Sequence, residues 1–158
     1  MAYQGHSSLY LEHGRPLFRL AYRLVGARED AEDVVHDVFV GLPDSLQRYE
    51  ERGSFAAWLK RVTARMALMR LRNAKRRSEV ALDNAAGQAE PPVAVERDGL
   101  QAAVDTLPNH LRSVLVLKEI EGYAHAEIAL LLGISEGASQ VRLTRALERL
   151  RNELEGGR

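Results

Sequence analysis

The stretch from Ala124 to Leu150 constrains the chain most, because it predicts two helices separated by a short break. In the break, Gly133-Ile134-Ser135, glycine can adopt the positive φ that ends one helix and serine can cap the next. On a helical wheel of the second helix, Arg142, Arg145 and Arg149 fall outside the apolar side. That apolar side holds Ser139, Leu143, Ala146, Leu147, Leu150 and Leu154. The pattern predicts a helix-turn-helix, whose second helix can enter a major groove, although an ordinary helical hairpin would show the same pattern.

Composition limits the class of protein. The 158 residues are 46% hydrophobic, which suits one ordinary domain or two small helical ones. The absence of cysteine excludes disulfides and thiolate metal sites. No apolar run approaches the roughly 20 residues of a membrane span, and residues 1–8 lack the pattern of a signal peptide. We expect a soluble, cytoplasmic protein without membrane insertion.

Charge is segregated along the chain. The 22 basic and 22 acidic residues cancel, which alone argues against binding nucleic acid through bulk charge. Residues 60–77, however, contain eight basic residues and no acid, whereas residues 29–51 are dominated by Asp and Glu. Two partners of different charge are therefore plausible.

Helical spacing predicts three helices before Ser54. The first begins at Pro16 and ends at Gly26, and the second begins near residues 28–30 with its acids on the exposed face. Pro43 predicts a kink or break at Gly41-Leu42-Pro43 before a short helix to Tyr49.

Ser54 can cap a long helix that carries a basic stripe beside an apolar one. The apolar stripe is Phe55, Trp58, Leu59, Val62, Met66 and Met69, and the basic stripe is Arg61, Arg65, Arg72, Lys75 and Arg76. Leu68 interrupts the basic stripe, and Arg70 points elsewhere on this wheel. Basic groups along about five turns can follow a phosphate backbone, although most charged helix faces are simply solvated.

Residues 79–99 change character, with small and acidic residues, Gly87 and the pair Pro91-Pro92. This composition predicts a flexible linker. We therefore expect an all-α fold of two small helical domains, 1–78 and 100–158, joined by the linker 79–99. The second domain contains the helix-turn-helix.

Short motifs along nearly the whole chain resemble, in order, those of the extracytoplasmic-function (group IV) sigma factors of bacterial RNA polymerase. They are LAYRLVG at 20–26, EDAEDVV at 29–35, Phe55 with Trp58-Leu59, Leu107-Pro108, EGY at 121–123, EIA at 127–129 and LGISEG at 132–137. The resemblance implies a front domain that reads the promoter minus-10 element and a back domain that reads the minus-35 element. It implies core RNA polymerase and promoter DNA as partners, with an anti-sigma factor as a possible third.

The resemblance also implies which residues meet each partner. The acidic helix would dock on the coiled coil of the largest polymerase subunit through Asp30, Glu32, Asp33, His36 and Asp37. The minus-10 candidates are Arg48, Tyr49, Arg52, Trp58, Arg61, Arg65 and Arg72. Unpaired bases stack on aromatic rings and guanidinium planes. For Trp58 and Phe55, however, we favour the alternative that their rings pack in the core.

For the minus-35 element the matching positions are Gln140, Val141, Arg142, Thr144, Arg145 and Arg149. Arginine can pair with guanine, glutamine with adenine, and Val141 or the methyl of Thr144 can meet a thymine methyl. Arg142 and Arg149 can equally contact phosphate, which fixes register without reading sequence.

Two other classes of protein are alternatives to this one. Asp33 and His36 have the i, i+3 spacing of a helical metal site, but the chain has no second pair of that kind. No glycine-rich phosphate loop or nucleophile motif is present, so we expect no enzyme, no catalytic residue, no metal and no cofactor. A stand-alone dimeric helix-turn-helix repressor is the alternative, and it predicts tight duplex binding at a palindromic site without polymerase.

Overall fold

The computed structural model describes residues 2–49, 53–82 and 99–156, and every regular element in these ranges is helical. The helices are α1 (Ala2–Val25), α2 (Arg28–Val40), α3 (Leu42–Gln47), α4 (Phe55–Leu82), α5 (Gly99–Thr106), α6 (Asn109–Leu115), α7 (His125–Leu132) and α8 (Glu136–Gly156). A single π-helical turn, Val116–Ile120, continues α6. No helix in the described ranges has the length and apolarity needed to cross a membrane.

The chain divides into two compact units, Met1–Ala74 and Lys75–Arg158. The predicted linker overlaps the helices at both of its ends, since α4 continues to Leu82 and α5 begins at Gly99. Its remaining residues, 83–98, lie outside the described ranges.

Helix α1 begins far upstream of Pro16, so the predicted start at that residue is wrong. Proline has no N–H and forgoes one backbone bond inside a helix, but Pro16 stands on the exposed side of α1. The upstream turns are held by ring contacts, Tyr10 with Phe39 at 5.2 Å and His13 with Phe55 at 5.6 Å between centroids. These tertiary contacts offset the lost backbone bond.

Helices α1 and α2 pack together around the core of the first unit. Their buried residues include Leu17, Leu20, Leu24, Ala31, Val34 and Val38. The chain turns between them at Gly26, which has a φ of 78°. The predicted break after α2 is confirmed, since Gly41 separates α2 from α3 and Pro43 lies in the first turn of α3.

The buried side of α4 is rotated from the predicted one. Of the predicted apolar stripe only Leu59 is fully buried, while Phe55, Trp58, Val62 and Met66 are half-buried. Leu68 is only 2% exposed, although the wheel placed it in the basic stripe, and Met69 of the predicted apolar stripe is 57% exposed. The buried residues of α4 are Leu59, Thr63, Ala64, Ala67 and Leu68. Two of these residues are alanines, and Thr63 satisfies its buried hydroxyl by donating to the Leu59 carbonyl at 2.8 Å. The wheel gave too much weight to methionine and too little to alanine.

In the second unit, α5, α6 and α8 enclose one apolar cluster. It consists of Ala103, Leu107, Leu111, Leu115, Ala146 and Leu150, with Val104 and Leu143 packed against it. Leu147 and Leu154, which the wheel placed on the packing side of α8, remain 45% exposed.

The predicted helix-turn-helix is confirmed. Helix α7 ends at Gly133, which adopts the left-handed conformation with a φ of 69°. Ser135 then caps α8 by accepting a hydrogen bond from the Ala138 N–H at 3.0 Å. Ile128 of α7 is fully buried, and α7 packs against α8, so the two helices form one motif.

Candidate functional site

The exposed side of α2 carries the acidic surface, which we define as Asp30, Glu32, Asp33, His36 and Asp37. Its opposite side, Ala31, Val34, Val35 and Val38, is buried against the first unit. Burial on one side fixes the rotation of α2 about its axis, so all five predicted docking residues lie at or near the surface. The acidic surface therefore results from the helical spacing of these residues along α2, and no loop is needed to form it.

Arg70 of α4 reaches across to two residues of the acidic surface. Its guanidinium donates to Asp30 Oδ1 from Nε at 3.1 Å and from Nη2 at 2.9 Å, and Nη2 also donates to Asp33 Oδ2 at 2.9 Å. The hydrogen bond to Asp30 is the largest cause of the raised pKa of Arg70. The helical wheel of α4 predicts no role for this arginine.

The five residues of the acidic surface therefore differ in how much negative charge they offer a partner. Arg70 partly neutralises Asp30 and Asp33, which are 47% and 60% exposed in these pairs, and Arg28 pairs with Glu32 at 3.1 Å. Asp37 forms no ion pair with any side chain that the structure describes. The Arg28–Glu32 and Arg70–Asp33 pairs are exposed, and such pairs contribute at most about 1 kcal/mol, so a basic partner can replace the arginine in either pair at little cost.

An open groove runs between α1 and α2 beside the acidic surface. Its walls include Tyr10, Leu11 and Phe18 from α1, and Glu32, Asp33 and His36 from α2. Leu11 is 84% exposed there. A partner that pairs with the acidic surface would therefore also meet apolar side chains of α1.

A cluster of aromatic rings joins the end of α3 to the start of α4. Tyr49 lies 5.0 Å from Trp58 and 5.6 Å from Phe55, while Phe55 and Trp58 stack at 5.6 Å with an interplanar angle of 27°. His13 of α1 meets the edge of Phe55. All four rings are half-buried, so Trp58 combines a packing role with a partly open surface.

Substitutions of Trp58 test whether its ring packs in the core or stacks on a DNA base. Replacing Trp58 with alanine should lower the free energy of unfolding of the first unit by about 2 kcal/mol, because it removes a half-buried ring that contacts the rings of Tyr49 and Phe55. Trp58→Phe should cost less than about 1 kcal/mol. Urea unfolding followed by circular dichroism measures both. Unchanged stability of Trp58→Ala with impaired promoter opening would instead show a stacking role alone.

The arginines predicted to hold the minus-10 strand are exposed. Arg61, Arg65 and Arg72 stand on the solvent side of α4, and Arg48 closes α3. Arg52, the remaining candidate of this group, lies outside the described residues. The structure thus brings Tyr49 and Trp58 together and leaves three arginines spaced along the helix that follows them.

The minus-35 candidates occupy the exposed side of α8. Gln140, Val141, Thr144, Arg145 and Arg149 are exposed, and Arg142 is half-buried. The Thr144 hydroxyl donates to the Gln140 carbonyl at 3.2 Å. Because that bond occupies the hydroxyl proton, the Thr144 methyl is the more plausible group for meeting a base.

His110, in the first turn of α6, lies within the electrostatic reach of the α8 arginines. Burial lowers the pKa of His110, and the positive charges of Arg142, Lys75, Arg149 and Arg145 lower it further. Sequence reasoning gave this residue no role, because nothing local places it beside α8.

The direction of this pKa shift predicts a pH dependence. The imidazole binds its proton more weakly in the folded unit than in the unfolded chain, where its pKa has the ordinary value of 6.5. The free energy of unfolding should therefore fall as the pH drops below about 6.5. Arg142→Gln should raise the pKa of His110, which NMR titration of its ring protons can measure. A pKa of His110 that does not respond to Arg142→Gln would contradict this arrangement.

Both halves of the chain match known family models. Residues 9–77 match sigma-70 region 2, and residues 97–150 match sigma-70 region 4. The first match covers the acidic surface, the aromatic cluster and the exposed arginines of α4, and the second covers the helix-turn-helix.

Relatives of the chain carry the same description. It is 35% identical over 155 residues to the ECF RNA polymerase sigma factor SigE of Mycolicibacterium smegmatis, a match that covers 92% of this chain and 60% of SigE. It is 31% identical over 143 residues to the ECF RNA polymerase sigma factor SigM of Mycobacterium tuberculosis, covering 90% of this chain and 73% of SigM. The chain thus spans less than two thirds of SigE and nearly three quarters of SigM.

A solved structure shares the fold. The sigma factor RpoE of Bartonella quintana, crystallised with the anti-sigma factor NepR, superposes with a TM-score of 0.68 at 20% identity. The match covers 96% of this chain and 98% of RpoE.

Proposed function

This chain belongs to the extracytoplasmic-function sigma factors of bacterial RNA polymerase, and on that premise we propose how its described surfaces direct promoter-specific initiation. Region 2, within 1–78, docks on core polymerase and reads the minus-10 element. Region 4, within 100–158, reads the minus-35 element. Residues 79–99 connect the two. The observation that carries this proposal is that α2 exposes acids, whereas α4 and α8 each expose several arginines.

Docking rests on the acidic surface. A basic partner helix suits these acids, and opposite charge across an interface speeds association and fixes register. The groove between α1 and α2 adds apolar contact through Leu11 and Phe18. We assign the docking role to Asp30, Glu32, Asp33, His36 and Asp37, of which Asp37 forms no ion pair with a described side chain.

Promoter reading rests on the two basic surfaces. Arg48, Tyr49, Trp58, Arg61, Arg65 and Arg72 are assigned to the minus-10 strand, and Arg52 is assigned from its sequence position alone. Gln140, Val141, Arg142, Thr144, Arg145 and Arg149 are assigned to the minus-35 duplex. The recognition helix of a helix-turn-helix places its N-terminal residues against base edges, which suits Gln140 and Val141.

We further propose that the chain acts in the cytoplasm as a regulator without catalytic activity of its own, because its partner there is the polymerase that performs the chemistry. An anti-sigma factor is a plausible inhibitor. RpoE is bound by one, and the acidic surface with its adjoining groove offers an exposed site for such a protein.

Complex formation tests this proposal. The chain is mixed with core polymerase and with fluorescent promoter fragments selected by the complex from a random library. We expect the chain to comigrate with core polymerase on gel filtration. The complex should bind the selected fragments at least about 100-fold more tightly than the free chain does, because a sigma factor gains specificity only within polymerase.

The opposite result identifies the repressor. Tight binding of a palindromic duplex by a free dimer, with no association with core polymerase, would refute the assignment of α2 and of the α4 arginines. The dimer would be seen in sedimentation, so the two outcomes separate cleanly.

A further inference from the structure

A polar bridge joins the two helices of the helix-turn-helix. Nδ1 of His125, the first residue of α7, lies 2.8 Å from Oγ of Ser139, in the first turns of α8. Ser139 is 0% exposed. This hydrogen bond links side chains that are 14 residues apart in sequence.

The bridge lies at the end of α7 that the turn does not hold. The C-terminal end of α7 is fixed by the left-handed Gly133, whose turn leads directly to the cap of α8 at Ser135. At the N-terminal end, the residue before α7 is Ala124, whose side chain cannot cap the helix. With eight residues, α7 is about 12 Å long, so a second fixed point at its start restrains its pivoting about the turn.

Ser139 also stands directly before the residues assigned to base reading. It is buried on the packing side of α8, and Gln140 and Val141 follow it on the exposed side. A small rotation of α8 about Ser139 would therefore displace both base-reading side chains. Misplacement by about 1 Å is enough to weaken a directed contact, since hydrogen bonds depend steeply on distance and angle.

We propose that the bridge between His125 and Ser139 sets the orientation of α8 against α7 and so positions Gln140, Val141 and Arg142 for the minus-35 duplex. This inference rests on the proposed function of α8. His125 and Ser139 act as positioning residues, because the bridge works through the helix and not through a base.

The chemistry of the bridge supplies matched variants. A serine hydroxyl can donate or accept, so it pairs with Nδ1 in either neutral tautomer of histidine. Ser139→Ala removes the hydroxyl, whereas Ser139→Thr keeps it. His125→Leu removes the nitrogen, whereas His125→Asn places an amide nitrogen close to the position of Nδ1.

The test uses core polymerase with the full chain on two templates. One is a promoter selected by the wild-type complex, with its minus-35 duplex intact. The other carries the same minus-10 element in a pre-opened bubble and no minus-35 element. We expect Ser139→Ala and His125→Leu each to lower initiation on the first template about fivefold, as loss of one hydrogen bond implies, and to leave the second unchanged.

Three further readouts separate positioning from simple destabilisation. The double variant Ser139→Ala/His125→Leu should lose no more than either single variant, because both remove the same bond. Ser139→Thr and His125→Asn should recover to within about twofold of the wild type. The single variants should also discriminate less between the selected minus-35 sequence and its point mutants, at temperatures well below unfolding.

Two results would overturn the inference in distinguishable ways. Wild-type discrimination at minus-35 by Ser139→Ala and His125→Leu would show that the bridge does not position α8. A wild-type chain with no dependence on the minus-35 sequence would refute the proposed role of α8, and the role of the bridge with it.

Discussion

The double substitution Asp33→Asn/Asp37→Asn should weaken binding of this sigma factor to core RNA polymerase by about 100-fold. Both residues are exposed on α2, and removing them halves the acids of the acidic surface. Charged pairs that become desolvated in an interface cost a few kcal/mol when one partner is removed. Competition against a labelled wild-type chain, at several salt concentrations, measures the loss and shows that it shrinks as salt screens the charges.

Matched variants separate the effect of the α2 charges on core binding from effects of net charge and of folding stability. Asp44→Asn/Glu153→Gln removes the same net charge from exposed positions outside α2, and should leave core binding within about twofold of the wild type. Asp30→Asn removes the negative charge that pairs with Arg70 and leaves a neutral amide oxygen to accept its two hydrogen bonds, so it should lower the stability of the first unit as well as the affinity. Equal losses in affinity from the α2 pair and the distant pair would show that only net charge matters.

The double substitution Arg142→Gln/Arg145→Gln should lower initiation on a selected promoter by about 100-fold. An arginine that pairs with guanine contributes about 1–3 kcal/mol of discrimination, and one that contacts phosphate contributes affinity without sequence preference. Both arginines lie on the surface of α8 that the packing of Ala146 and Leu150 leaves open. Run-off transcription with core polymerase provides the measurement.

The control for this prediction lies on the same helix. Arg151 is exposed in the last turns of α8, beyond the assigned residues, and Arg151→Gln should change initiation less than threefold. The Arg142/Arg145 variant should also lose its sensitivity to mutations of the minus-35 element. An equal drop on promoters with and without that element would mean that these arginines act elsewhere.

The features that depend on local spacing could be predicted from the sequence. The exposed acids of α2 follow from burial of Val34 and Val38 one turn apart, and the break at Gly41 follows from Pro43. The helix-turn-helix follows from Gly133 and the cap at Ser135, because these residues determine backbone geometry directly.

The features that depend on contacts between distant residues could not be predicted. Nothing near Arg70 in sequence indicates that it reaches Asp30, 40 residues away. The upstream extension of α1 through Pro16 depends on Tyr10 meeting Phe39. The buried side of α4 was misplaced for a related reason, since Ala64 and Ala67 are chosen by the shape of their neighbours and not by their hydrophobicity.

The bridge in the helix-turn-helix belongs to the same class. On a helical wheel, a serine on the packing side of α8 indicates no particular contact. A histidine at the start of α7 is expected to be exposed to solvent. Only the crossing of the two helices brings Nδ1 and Oγ within 2.8 Å. Its proposed role in positioning α8 therefore comes from the structure alone.

Run-off transcription tests the central claim most directly. Core polymerase, which lacks promoter specificity, is combined with this chain on a library of promoter fragments, and the start sites are mapped. We expect discrete initiation from fragments that share one minus-10 and one minus-35 element, and its loss with Asp33→Asn/Asp37→Asn. Random initiation at the level of core polymerase alone would contradict the assignment of both surfaces.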